Sequence, residues 1–225
     1  MIRGCLLLVN LAENFVLYAV KSPIVNVVIN EIGDGKVNVL LAGEESQIVT
    51  EAFIKKGHNA MSCDNTYPGA KGLPHYFGDM LDIIYRDYWD LVIAFPVCRF
   101  LANSGVRWLY ERPGRWELLK EGAEFFNKIL KVKCKLAIEN PIHHCHARKL
   151  ITKYDQIIHP WQFGHTTKKT ICLWLRGLPK LQTTNIIPKE LRTPDIHYES
   201  PGPERERKRS RFYEGIADAM ANQWG

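Results

Sequence analysis

The chain has 225 residues, 46% hydrophobic and 24% charged. That is enough for one α/β domain with its own core, and it excludes a disordered tail, a collagen-like repeat and a disulfide miniprotein. Lys and Arg outnumber Asp and Glu by 30 to 24, a formal charge of +6 that suits a polyanionic partner without specifying one.

Residues 1 to 36 differ from the rest. The apolar run Cys5 to Val9 is too short for a membrane span. Arg3 precedes it as in a signal peptide, but no small-residue cleavage site follows, so secretion is not the expectation. The lead ends in the turn formers Gly33, Asp34 and Gly35, and its role is open. Val25 to Ile29 either adds an edge to the next strand or belongs to an element packed outside the core.

Residues 37 to 225 read as a single domain with a regular pattern. A strand over Val37–Leu41 meets a turn at Ala42-Gly43, then a helix over Glu45–Lys56 that Gly57 ends. Strands follow at His58–Cys63, closing on Asp64, and at Leu91–Phe95, stopped by Pro96. Apolar residues Leu118, Leu119, Ala123, Phe125, Phe126, Ile129 and Leu130 predict a helix over Trp116–Leu130 with a broad apolar face. The strand Lys135–Ile138 then ends at Glu139-Asn140-Pro141, and Tyr154–His159 and Thr170–Leu175 are further strand candidates. A variable, proline-rich stretch from 181 leads into the charge run Glu204–Arg211, and Gly215–Trp224 reads as a closing helix. This alternation predicts a doubly wound, mostly parallel sheet with helices on both faces, the Rossmann-type arrangement.

In such a sheet, ligands bind at the carboxyl ends of strands, near the point where strand order reverses. The expected strand ends carry Gly43, Asp64, Pro96-Val97-Cys98 and Glu139-Asn140. A turn glycine and an acid able to accept ribose hydroxyls describe an adenosine-type site. Glu44 and Glu45 would repel a diphosphate there, so a cationic or zwitterionic nucleoside fits better. Cys98 is a candidate nucleophile and Glu139 a candidate acid, a pairing that activates an electron-poor ring. Singly, Cys98 reads as a small buried hydrophobe and Glu139 as a strand-end acid; their joint placement points to chemistry.

The six cysteines form no CxxC pair, so neither a zinc ribbon nor a disulfide framework is signalled, and a reducing, cytoplasmic setting is expected. His143, His144, Cys145 and His146 are metal-ligating types, but adjacent side chains converge poorly on one ion and no second half-site appears. No metal site is expected. Trp108 is a candidate base-stacking residue, with a core or pocket-wall role as its bland counterpart.

Across residues 37 to 224 the chain resembles the cytosine-5 DNA methyltransferases that use S-adenosylmethionine, and in its compact layout their small phage-encoded members. Leu41-Ala42-Gly43 followed by Ala52-Phe53 resembles the first cofactor motif, Asp64 falls at the ribose-binding acid, and Gly78-Asp79-Met80 resembles the adenine-side motif. Pro96-Val97-Cys98, closing at Gly105, resembles the catalytic loop, with Val97 where the family has a second proline. Glu139-Asn140-Pro141, Thr167 to Ile171 and Gly215 to Met220 resemble three later motifs.

The resemblance implies that Cys98 adds to C6 of a flipped cytosine, assisted by Glu139. It places the cofactor, S-adenosylmethionine, on Ala42, Gly43, Glu44, Glu45, Asp64, Asn65, Asp79, Met80 and Pro96, and DNA on Arg99, Asn103, Lys168, Lys169, Arg209 and Arg211. About twenty residues between the last strand and the charge run leave no room for a large target-recognition domain. Sequence specificity is then relaxed or supplied by a partner. The alternatives are a degenerate methyltransferase-fold binder without turnover, or a related enzyme acting on RNA or pyrimidine nucleotides.

Overall fold

The computed structural model describes residues 35–66, 68–86, 88–193 and 212–225, and the backbone of three short strands ahead of them. Those strands, β1 (Leu8–Asn10), β2 (Phe15–Leu17) and β3 (Ile29–Asn30), pair with one another antiparallel. Ile29–Asn30 thus joins a small separate sheet and adds no edge to the main one.

The main sheet has seven strands: β4 (Asn38–Ala42), β5 (Asn59–Asp64), β6 (His75–Phe77), β7 (Leu91–Ala94), β8 (Lys135–Asn140), β9 (Gln156–Ile158) and β10 (Ile171–Arg176). Their order is β6-β5-β4-β7-β8-β10-β9. Strands β4 to β8 are parallel, while β10 lies antiparallel between β8 and β9. Among the described residues four helices accompany them: α1 (Ile48–Lys55), α2 (Trp108–Glu111), α3 (Arg115–Ile129) and α4 (Glu214–Trp224). Among the described residues no helix is long and apolar enough to cross a membrane.

Central strand β4 is buried along its whole length, as a parallel strand covered on both faces must be. Its side chains alternate: Val39 and Leu41 face a core closed by α1 and α4 with Phe53, Ile216 and Met220, while Leu40 and Ala42 face a core closed by α3. On α3, Leu119, Ala123, Phe126 and Ile129 form the buried stripe, narrower than the expected face, of which Leu118, Phe125 and Leu130 are only half-buried. Truncating the fully buried Phe126 to Ala would cost roughly 3–5 kcal/mol.

Three departures from the sequence expectation have physical causes. Helix α1 begins at Ile48, three residues later than expected, because Gln47 adopts a left-handed backbone (φ 52°) just before it. β8 runs past Ile138 to Asn140 because β10 pairs with it to the end, so Glu139 and Asn140 are strand residues. β6 is three residues long, half exposed and without apolar alternation, and carries no sequence signal.

Strands β4, β5 and β6 wind outward in one direction, and β7 and β8 in the other. The order reverses between β4 and β7. All five carboxyl ends share one edge of the sheet, and because β10 is reversed, its amino end shares that edge too.

Candidate active site

Four of the expected site segments therefore meet at one edge: Gly43 after β4, Asp64 ending β5, the Cys98 turn after β7, and Glu139 at the end of β8. Lys168 and Lys169 reach the same edge from the start of β10, where Cys172 lies opposite Asn140.

On the β4–β6 flank, Gly43 has φ +85°, and a Cβ there would lie 2.7 Å from the Phe95 carbonyl oxygen and 3.0 Å from the end of the Met80 side chain. Glycine is thus required by the close approach of the β4 and β7 ends as much as by any ligand. Ala42 is buried beneath it, its carbonyl accepting from the Phe95 N–H at 2.7 Å. Asp64 accepts the Thr66 N–H at 2.7 Å, next to exposed Asn65, and Asp79 accepts the Leu81 N–H at 2.9 Å, holding Met80 at the head of the short 3-10 turn Met80–Asp82. Asp64, Asp79 and Asp82 together, after burial, help push the Cys63 thiol up to about 12, so this flank is a field of negative charge.

Glu44 has a different duty from the expected ligand contact. Its carboxylate is buried and accepts from the Val49 N–H (2.7 Å), the Thr50 N–H (3.1 Å) and the Thr50 hydroxyl (2.7 Å), so it caps the first turn of α1. Beside it, Glu45 is half-buried and its carbonyl accepts the Ala70 N–H at 2.9 Å. Gln47, fully buried, donates to Ser62 Oγ (2.9 Å) and the Leu73 carbonyl (3.0 Å) and accepts from the Lys71 N–H (2.8 Å). The left-handed residue before α1 is held by these three bonds.

The Cys98 turn is fastened to the segment after β8. Its carbonyl accepts from the Leu101 and Ala102 N–H groups at 2.9 and 2.8 Å, Val97 is exposed, and Cys98 itself is half-buried and in no disulfide. Asn140 donates through Nδ2 to the buried Pro96 carbonyl at 2.9 Å, and its Oδ1 accepts from His143 Nε2 at 3.0 Å. Further on, the Asn103 N–H donates to the Ile142 carbonyl at 2.8 Å and the His144 N–H to the Leu101 carbonyl at 2.9 Å. His144 accepts the Ala147 N–H on Nδ1 (3.1 Å), which leaves Nε2 as the donor to the Phe100 carbonyl (3.1 Å). His143 and His144 are thus loop anchors. Burial lowers both pKa values, that of His143 to about 4, and keeps the rings neutral.

Glu139 is the least satisfied group in this region. Its Oε1 has neither solvent contact nor a hydrogen-bond partner. Burial pushes its carboxyl pKa up, and the positive charge of Lys169 opposes that shift. An unpaired buried polar group costs about 1–3 kcal/mol, so the position is unfavourable until something pairs with it. Lys169 lies with its Nζ 5.8 Å from the Tyr213 ring centroid, toward Glu139, while Lys168 is exposed. Of the two lysines assigned to DNA, only Lys168 faces outward.

Arg99 and Asn103 are exposed on the Cys98 turn, and Arg209 and Arg211 lie outside the described residues. Trp108 carries guanidinium groups over its ring, Arg107 at 4.1 Å and Arg112 at 3.8 Å from the centroid, which accounts for it without a base. The sequence carries no pattern that marks Gln47 or Tyr213, which acquire their places only when distant segments meet, and the cluster that holds His143 signals metal-ligating types where the structure shows loop anchors.

This strand order, reversed between β4 and β7 and with an antiparallel strand inserted before the last position, makes the chain a doubly wound, Rossmann-like α/β protein. No protein-family model matches it, and no curated protein matches its sequence. Among solved structures, the chain matches a methyltransferase of Entamoeba histolytica, EhMeth, at 14% identity and a TM-score of 0.42 over 75% of this chain. The match spans 61% of that protein's length, less than two thirds.

Proposed function

We propose that the chain transfers a methyl group from S-adenosylmethionine to C5 of cytosine in DNA. The observation that carries the reading is Glu139, a carboxyl with a dry, unpartnered oxygen at the end of the strand beside the one that leads into Cys98. The negative field of Asp64, Asp79 and Asp82 suits a cationic nucleoside and not a diphosphate, and Gly43 leaves backbone in place of a side chain at the switch point. Asp64 would take the ribose hydroxyls and the Asp79-Met80 turn the adenine. When bound, S-adenosylmethionine supplies an electrophilic methyl group on a positively charged sulfur.

The chain's own residues supply the rest. The Cys98 thiolate forms a bond from Sγ to C6 while Glu139, in its acid form, gives its proton to N3 and so neutralises the electron pair pushed onto the ring. C5 becomes the nucleophile. Once C5 carries the methyl group, its proton leaves to solvent, the C5–C6 double bond re-forms, the Sγ–C6 bond breaks, and N3 returns its proton to Glu139. Because a stacked base hides C6, the cytosine must leave the helix, with Arg99, Asn103, Lys168, Arg209 and Arg211 as phosphate contacts.

The test is a covalent trap. Wild type and Cys98→Ala are incubated with S-adenosylmethionine and DNA carrying 5-fluorocytosine, and intact mass is read after denaturation. A wild-type adduct that the variant lacks is the expected result, because fluorine at C5 blocks release. No adduct across varied sequences, with cofactor binding verified by calorimetry, would favour the binder without turnover. An adduct on RNA or free nucleotide alone would move the substrate class.

A further inference from the structure

Among the described residues only two buried side-chain oxygens or nitrogens lack a hydrogen-bond partner, Glu139 Oε1 and Tyr213 Oη. They belong to one cluster. The Glu139 charge raises the Tyr213 pKa, and Lys169 acts on Glu139 while its ammonium lies over the Tyr213 ring. Burial is the larger cause and takes the phenol to about 12, so it stays a donor at any working pH. After burial, Thr167 pulls the phenol down by more than the Glu139 charge lifts it, yet no hydrogen bond between Thr167 and the phenol reaches bonding geometry.

Tyr213 is held there by its surroundings. It precedes α4, the His165 ring meets it edge-on at 5.2 Å, and His165 Nε2 accepts the Gly215 N–H at 2.9 Å. A Cβ on Gly215 would lie 1.9 Å from the Phe163 carbonyl oxygen, so only glycine lets the start of α4 approach this closely. Next to it, Phe212 packs edge-on against Phe95 at 5.1 Å, beside the strand that leads to Cys98. A fold that fixes a phenol this firmly, yet leaves its hydroxyl dry and unpaired, has built half of a hydrogen bond.

We propose that Tyr213 is a substrate-contacting residue whose hydroxyl, beside Lys169, donates to the C2 carbonyl oxygen of the target pyrimidine while Glu139 engages N3. The assignment rests on the methyl-transfer reading. Two donors adjacent to an acid match the order of groups on that ring, where the carbonyl oxygen neighbours N3. A site so built rejects a ring that lacks the matching acceptor, because the hydroxyl is then left unpaired.

The test uses the full chain, wild type and Tyr213→Phe, with 5-fluorocytosine DNA and with the same DNA carrying a 2-thio-5-fluorocytosine, whose sulfur is a poor acceptor. The expected result is adduct formation about ten- to a hundredfold slower in Tyr213→Phe on the oxo base and nearly equal rates on the thio base. Without DNA or cofactor, the variant's thermal midpoint should be unchanged or higher, since the lost hydroxyl had no partner. Equal rates on the oxo base overturn the assignment, as does a lowered midpoint with the same rate loss on both bases, which would make Tyr213 structural. Wild type forming no adduct at all overturns the methyl-transfer reading itself and the assignment with it.

Discussion

The two flanks of the switch point treat buried polar groups in opposite ways. On the β4–β6 flank Glu44 accepts three hydrogen bonds shorter than 3.2 Å, and Gln47 makes three more that tie α1 to β5 and the loop at 71–73. On the β8–β10 flank Glu139 and Tyr213 each keep a dry oxygen with nothing to pair. Both carboxyls are buried and both have raised pKa values, so neither burial nor titration separates scaffold from site. Hydrogen-bond satisfaction does: a satisfied acid positions a helix, and an unsatisfied one waits for a ligand.

Glu139→Gln should break the comparison most sharply. The amide keeps the volume but cannot give N3 a proton, so trapping and turnover should fall about 10²- to 10³-fold, the range for removing one transition-state partner. Thermal stability at pH 7.5 should hold or rise, because no buried carboxyl then needs to be kept from ionising. A stability loss on the scale expected for Glu44 would place Glu139 in the scaffold.

The next effect in size concerns the anchor between the flanks. His143 is buried, donates to Asn140 Oδ1, and has its pKa lowered by burial, and secondarily by His144, to about 4. The unfolded chain takes up this proton near pH 6.5 and the folded chain near pH 4. Its contribution is therefore intact above pH 6.5 and is lost as pH falls toward 4, up to about 3 kcal/mol in full. His58, His144 and His165 are shifted in the same direction and steepen the slope. In His143→Gln, where an amide keeps the donor, denaturant midpoints between pH 7.5 and 5 should fall less than in wild type. Identical pH slopes would show that His143 does not carry this limb.

How much of this the sequence discloses depends on range. Period and punctuation are local, so β4, β7, α3 and α4 are legible to within a residue or two, and with them the strand ends that carry Gly43, Asp64, Cys98 and Glu139. What Glu44 does is not legible, since an acid after a turn glycine reads the same whether it faces a ligand or reaches back to Val49 and Thr50. Tyr213 is further still from local signals: it lies 74 positions beyond Glu139, and only the register of β10 on β8 with the docking of α4 brings the two together. β6 fails for another reason. Three residues on a sheet edge, two half-buried and one exposed, carry too little periodicity to declare a strand.

Glu44→Gln is the smallest effect and the control for the first. The amide retains one acceptor oxygen for the start of α1 but turns a donor toward N–H groups that need an acceptor, so about 2 kcal/mol of stability should go at pH 7.5. Its raised pKa, from burial outweighing the bonds to Thr50, Val49 and Ser46, runs against the histidines. The folded chain holds this proton to higher pH than the unfolded chain, so that shift favours folding at low pH and the favour is lost as pH rises above 4.5. Removing the carboxyl should therefore cost more at pH 5 than at pH 8, read as the difference in denaturant midpoint between variant and wild type. Trapping by the folded variant should stay within a few-fold of wild type, since Glu44 faces α1 and not the ring. A Glu44→Gln protein that is stable but cannot bind cofactor would return this acid to the site and end the division between the two flanks.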